Sequence, residues 1–121
     1  MSGRIRIFEA EAALPVPCEV APLEAEGPGG EDAVRAALAG PLERARERGV
    51  RALAVRVPST GLGGVSLQRC AEILLEEARR HLAGTTCIGE ILFVLRGEPA
   101  LRVFESVDDA ARIAEQERRR T

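Results

Sequence analysis

The 121-residue chain has room for one domain, residues 1–121, which would bury very roughly two thirds of the surface that its unfolded form exposes. Its 17 basic side chains, all arginine, nearly balance 19 acidic ones for a net charge of -2. No field therefore draws it to nucleic acid or anionic membrane, and three Phe with no Trp or Tyr offer no stacking platform for single strands.

Residues 4–8, RIRIF, alternate with period two and predict a strand with Ile5 and Ile7 inward and Arg4 and Arg6 toward water. Pro15, Pro17 and Pro22 then exclude a helix and leave room for a short strand around Cys18–Ala21. The run Gly27–Gly30 reads as a flexible connection. From Glu31, apolar residues recur at helical spacing (Ala33, Val34, Ala37, Leu38, Leu42, Ala45), interrupted by Gly40 and Pro41. This allows two short helices or one kinked helix, stopped near Gly49.

Residues 51–57, RALAVRV, alternate again and put Leu53, Val55 and Val57 on one face of a strand. After a glycine loop, Ser66 is a good N-cap for a helix that buries Leu67, Cys70, Ala71, Leu74, Leu75, Ala78 and Leu82 and ends at Gly84. Residues 90–96, EILFVLR, hold five consecutive apolar side chains and predict a strand covered on both faces. Residues 98–119 predict one helix with Pro99 in its first turn and Leu101, Phe104, Val107, Ala111 and Ala114 buried. The competing reading makes ALRVFE a strand and starts the helix at Ser106. The element order predicts an α/β domain with right-handed crossovers between parallel strands.

Residues 58–64, PSTGLGG, join the C-terminal end of a strand to a helix start, where ligands and anions are favoured. Gly61, Gly63 and Gly64 remove the Cβ atoms that would hold a phosphate away, and Ser59 and Thr60 add hydroxyl donors. The loop matches neither G-x-G-x-x-G nor G-x-x-x-x-G-K-[ST], and taken alone a glycine-rich strand-to-helix turn is more often empty. Leu62 and Val65 could form an apolar wall, and Arg96 could bring a charge to the same end of the sheet.

The stretch LERARERGVRALAVRVPSTGLGG, followed by SLQRCAEILLEEARRHL and IGEILFVLRGEPALRVFESV, resembles the C-terminal half of macro domains. That family shows a helix, an apolar strand ending in P-x-(I/L)-S/G-T-G-(I/V)-(F/Y)-G, a long helix, a V-x-F-V-L strand and a final helix. Upstream, GRIRIFEAEAALPVPCEVAP is similar to an earlier strand, a Leu-Pro turn and the next strand of the family. The resemblance implies a three-layer α/β fold with a sheet of about four strands flanked by helices, lacking the family's N-terminal strands.

It also implies ADP-ribose or a related nucleotide phosphate as ligand, held by Ser59, Thr60, Gly61, Leu62, Gly63 and Gly64 as the family's second phosphate loop. The family's N-A-A-N motif and Gly-Gly-Gly first phosphate loop find no counterpart in this reading, Gly63 replaces the second loop's aromatic, and Arg96 stands where an aromatic often follows the last strand. The alternative function is a non-catalytic structural or interaction protein with a degenerate site, which self-associates through an exposed sheet edge.

Catalysis finds no residue set. His81 reads as a solvated histidine at a helix end, Glu72, Glu76 and Glu77 as a solvated face, and Ser59 and Thr60 lack a general base at a recognisable spacing. Cys18, Cys70 and Cys87 show no metal-ligand or disulfide spacing and read as buried thiols, so neither cofactor nor metal is expected. With no apolar leader and no run approaching about 18 apolar residues, the expected location is cytoplasmic and no membrane partner is expected.

Overall fold

The computed structural model describes residues 4–10, 18–25 and 29–120. The first two elements are strands, β1 (Arg4–Glu9) and β2 (Glu19–Pro22), followed by α1 (Gly30–Glu47), β3 (Ala52–Val57), α2 (Leu67–Ala83), β4 (Glu90–Leu95) and α3 (Glu98–Arg120). Pro15, Pro17 and Gly27 of the sequence reading lie outside the described residues. The four strands form one sheet in the order β1-β4-β3-β2, every neighbouring pair parallel. Ile5 is level with Ile91, and Leu53 with both Ile91 and Glu19.

Period-two alternation decides what each sheet face carries. Ile5, Ile7, Leu53, Val55, Val57, Ile91, Phe93 and Leu95 join side chains of all three helices in the main core. Ala52, Ala54, Leu92 and Val94 form a smaller cluster on the other face with Phe8, Ala10 and Cys18 packed against it, and no helical residue belongs to it. Of the three layers expected, the described residues supply two, the sheet and one helical layer. β4 is buried on both faces, as its unbroken apolar run requires.

The α1 pattern resolves to a single helix that carries Pro41 inside it. An internal proline costs about 3 kcal/mol through a lost hydrogen bond and ring crowding. That cost is offset by burial of Val34, Ala37, Leu38, Leu42 and Ala45 along one stripe. α2 starts as expected, Ser66 Oγ accepting the Arg69 amide at 3.2 Å, and Gly84 caps its other end.

α3 is one helix through ALRVFE, so the strand alternative does not hold. Its buried positions are Ala100, Phe104 and Asp108, spaced by four residues, rather than the five predicted; Leu101, Val107 and Ala111 are half-buried, and Ala114 is exposed because the core contact ends near Asp108. Asp108 tolerates burial because Arg79 of α2 meets it at 2.5 Å, with Arg112 at 3.4 Å. Of the cysteines only Cys70 is buried; Cys18 is half-buried and Cys87 exposed, and all three are free. The buried-thiol reading thus fails for Cys87, whose loop after α2 leaves it at the surface.

Candidate functional site

All four strands deliver their C-terminal ends to one cleft of about 630 Å³. Ala10 follows β1, Pro22 and Leu23 close β2, Arg56 and Val57 end β3, and Val94 and Arg96 end β4. Pro58, Ser59 and Thr60 supply the rim toward α2, and Glu24 the one carboxylate among the described residues. Two guanidinium groups on this wall, Arg56 and Arg96, make it a place where an anion is favoured over a cation.

The glycine loop divides into two halves. Its front, Ser59 and Thr60, is exposed and lines the cleft; Gly61, Leu62, Gly63 and Gly64 do not line it. The back half is built into the protein. The Gly61 amide donates to the Pro58 carbonyl at 3.1 Å, the Val65 amide to the Leu62 carbonyl at 2.9 Å, and the Leu62 amide to Cys70 Sγ at 3.2 Å. The Cys70 thiol in turn lies 3.5 Å from the Val65 carbonyl, so one buried side chain of α2 ties both ends of the turn. Leu62 is 5 % exposed and belongs to the main core, not to an apolar wall of the cleft.

The amides of Ser59, Thr60, Gly63 and Gly64 donate to no acceptor among the described residues. Gly61, Gly63 and Gly64 have φ of 87°, 62° and 76°, a region that side-chain-bearing residues avoid. A Cβ on Gly61 would sit 2.5 Å from the Val65 carbonyl oxygen, and one on Gly63 would sit 2.9 Å from the Gly30 carbonyl oxygen.

The last contact exposes what sequence reading missed. Gly29 and Gly30, taken as flexible connection, open α1 directly beside the loop, and the Gly30 amide donates to the Gly63 carbonyl at 2.9 Å. Two glycine-bearing helix starts thus lie side by side, although no counterpart of a first glycine loop was read from the sequence. Arg69 of α2 clamps them with a two-pronged contact to Glu31 of α1, at 2.9 and 3.0 Å. Its hydrogen bonds hold the Glu31 carboxyl below the usual carboxylate range. Arg56 was also missed. Its signal was present in RALAVRV, where period two places Arg56 on the face away from Leu53, Val55 and Val57, at the strand's C-terminal end.

His81 lies far from the cleft on the last turn of α2, half-buried rather than solvated, with Nε2 2.9 Å from Thr86 Oγ1. Burial pushes its pKa below the ordinary histidine value, and Arg46 acts in the same direction. Because the folded state holds the proton less tightly than the unfolded state, the His81 contribution to stability is intact above the ordinary value. It is lost as pH falls through the lowered folded value. His81→Gln is expected to flatten the fall in melting temperature between pH 7 and pH 5; an unchanged slope would contradict it. Among the described residues no group of His, Cys, Asp and Glu is placed to hold a metal ion, and no helix is long and apolar enough to cross a membrane.

No protein-family model matches the chain. Over 90 residues, 74% of this chain, it is 33% identical to uncharacterized protein Rv1899c of Mycobacterium tuberculosis and spans 24% of that protein. It is equally similar to uncharacterized protein Mb1934c of Mycobacterium bovis, of which it spans 25%. The chain therefore covers about a quarter of the length of these relatives.

Among solved structures, it superimposes on the Oceanobacillus iheyensis macrodomain with ADP with a TM-score of 0.60 at 18% identity, covering 67% of this chain and 42% of that one. A variant of that macrodomain with ADPR gives a TM-score of 0.59 at 18% identity over 67% of this chain and 43% of its own. The Trypanosoma brucei macrodomain in complex with ADP gives 0.59 at 24% identity over 67% of this chain and 35% of its own. With its parallel four-stranded sheet and its helix order, the chain has a divergent macrodomain-like fold.

Proposed function

We propose that residues 1–121 act as a binding module for ADP-ribose or a related nucleotide diphosphate, held in the cleft at the C-terminal ends of the strands. Ser59 and Thr60 offer hydroxyls and unspent amides to a phosphate, and Arg96 and Arg56 offer charge. Gly61, Leu62, Gly63 and Gly64 form the turn that presents them. The observation that carries this reading is the position of the cleft, bounded by the ends of all four strands and by the exposed front of the glycine loop. The macrodomain structures to which the chain is similar include complexes with ADP and ADPR. Three free thiols suit a reducing, cytoplasmic setting.

ADP-ribose at about a hundred times its dissociation constant is expected to stabilise the protein by about 2.7 kcal/mol. A rise in melting temperature with millimolar ADP-ribose, lost in Ser59→Ala/Thr60→Ala and weakened in Arg56→Ala, supports the reading. No shift with ADP-ribose, ADP or pyrophosphate would overturn it.

A second reading, self-association, is favoured by one observation. Both β1 and β2 are edge strands of the sheet, each with a single described neighbour. An unpaired edge is a template for another chain.

A further inference from the structure

We propose that the exposed edge of β1 is a homodimer interface, in which β1 of two copies pair antiparallel about a two-fold axis centred on Ile7; this rests on the self-association reading. In the β1–β4 ladder the Arg4 amide donates to the Gly89 carbonyl at 2.9 Å and the Ala10 amide to the Leu95 carbonyl at 2.7 Å. Even-numbered residues of β1 therefore turn their backbone groups toward β4. By alternation Ile5, Ile7 and Glu9 point theirs outward, where no described residue accepts or donates.

The usual devices that blunt an edge are missing here. β1 contains no proline. Its two arginines are drawn over the sheet face away from the helices, Arg4 by Glu90 at 2.9 Å and Arg6 over the Phe8 ring at 4.9 Å. Two clefts of about 470 and 500 Å³ run along the edge between β1 and α3, so that side is open.

Symmetry and charge select the register. A two-fold axis normal to the sheet keeps each side chain on its own face, so only residues of equal parity can lie opposite one another. Centring on Arg6 would place it against the partner's Arg6, which like charge disfavours. Centring on Ile7 puts Ile7 against the partner's Ile7, Ile5 against the partner's Glu9, and Arg6 against the partner's Phe8. This pairs the outward backbone groups of all three odd residues, about six hydrogen bonds in total.

Along the groove the charged groups are already matched within one copy, Arg79 with Asp108 at 2.5 Å and Arg112 with Asp109 at 2.6 Å, so the contact rests on the self-complementary β1 backbone. A six-residue strand spans about 20 Å, so the interface belongs to the small, reversible class below about 1,200 Å².

Light scattering over low to high micromolar concentration is expected to show a mass rising toward twice the 13.0 kDa of one chain. Ile7→Pro removes an outward amide without touching the β4 ladder and is expected to hold the mass at that of one chain. A wild-type monomer at every concentration would overturn both the interface and self-association. A dimer that persists in folded Ile7→Pro would overturn this interface alone. Should the variant not fold, hydrogen exchange of the wild type decides: amides of Ile5, Ile7 and Glu9 that slow with concentration support the pairing, and concentration-independent exchange overturns it.

Discussion

Phe104→Ala is expected to lower stability by about 3–5 kcal/mol, a large share of the roughly 5–15 kcal/mol that holds a domain together. Phe104 and Phe93 are both fully buried, with ring centroids 5.6 Å apart and planes tilted by 40°. Among the described residues of α3 only Ala100, Phe104 and Asp108 are buried, so Phe104 is its main apolar anchor to β4. Urea denaturation with helical circular dichroism is expected to show an early loss of part of the helix signal. Phe104→Leu, which keeps much of the volume, is expected to lose less than half as much. Equal losses would mean that aromatic geometry, not filled volume, holds α3.

Gly61→Ala is expected to cost about 2–4 kcal/mol and to lower the melting temperature by roughly 10 °C. Two causes add. The backbone at φ 87° disfavours any side chain, and the new Cβ would lie 2.5 Å from the Val65 carbonyl oxygen, which cannot move without breaking the turn pinned by Cys70. Gly49→Ala provides the contrast, since Gly49 has φ of 69° but no atom within 4 Å of an added Cβ. It carries backbone strain alone, about 1 kcal/mol. If thermal melts give the two variants equal losses, the crowding at Gly61 has been misjudged.

Much of the fold could be read from residue periodicity. Leu53, Val55 and Val57 alternate, and Cys70, Leu74 and Ala78 recur by four, because each element buries a face set by its own geometry. Ser66 and Gly84 mark the ends of α2 through local hydrogen bonding alone. The Gly40-Pro41 step was ambiguous because local preference opposed helix there, and the stripe from Val34 to Ala45 prevailed only through tertiary burial.

The site was less legible. Sequence adjacency suggested that Ser59–Gly64 would act as one cradle, yet Gly61 and Leu62 give their amides to the protein itself. The Gly30–Gly63 contact could not be foreseen, since it joins elements separated along the chain, and the Cys70 pin depends on how the loop folds back over the first turn of α2. Arg56 was visible as a face assignment, but its meaning depended on the parallel order that puts β3 beside β4.

If the strand ends and the front of the glycine loop hold the ligand, amide chemical shifts followed through a titration with ADP-ribose register it residue by residue. Saturable shifts are expected at Ser59, Thr60, Arg56 and Arg96, with Ile5, Ile7 and α3 unmoved. Saturable shifts confined to another face of the protein, or none at millimolar ligand, would contradict it.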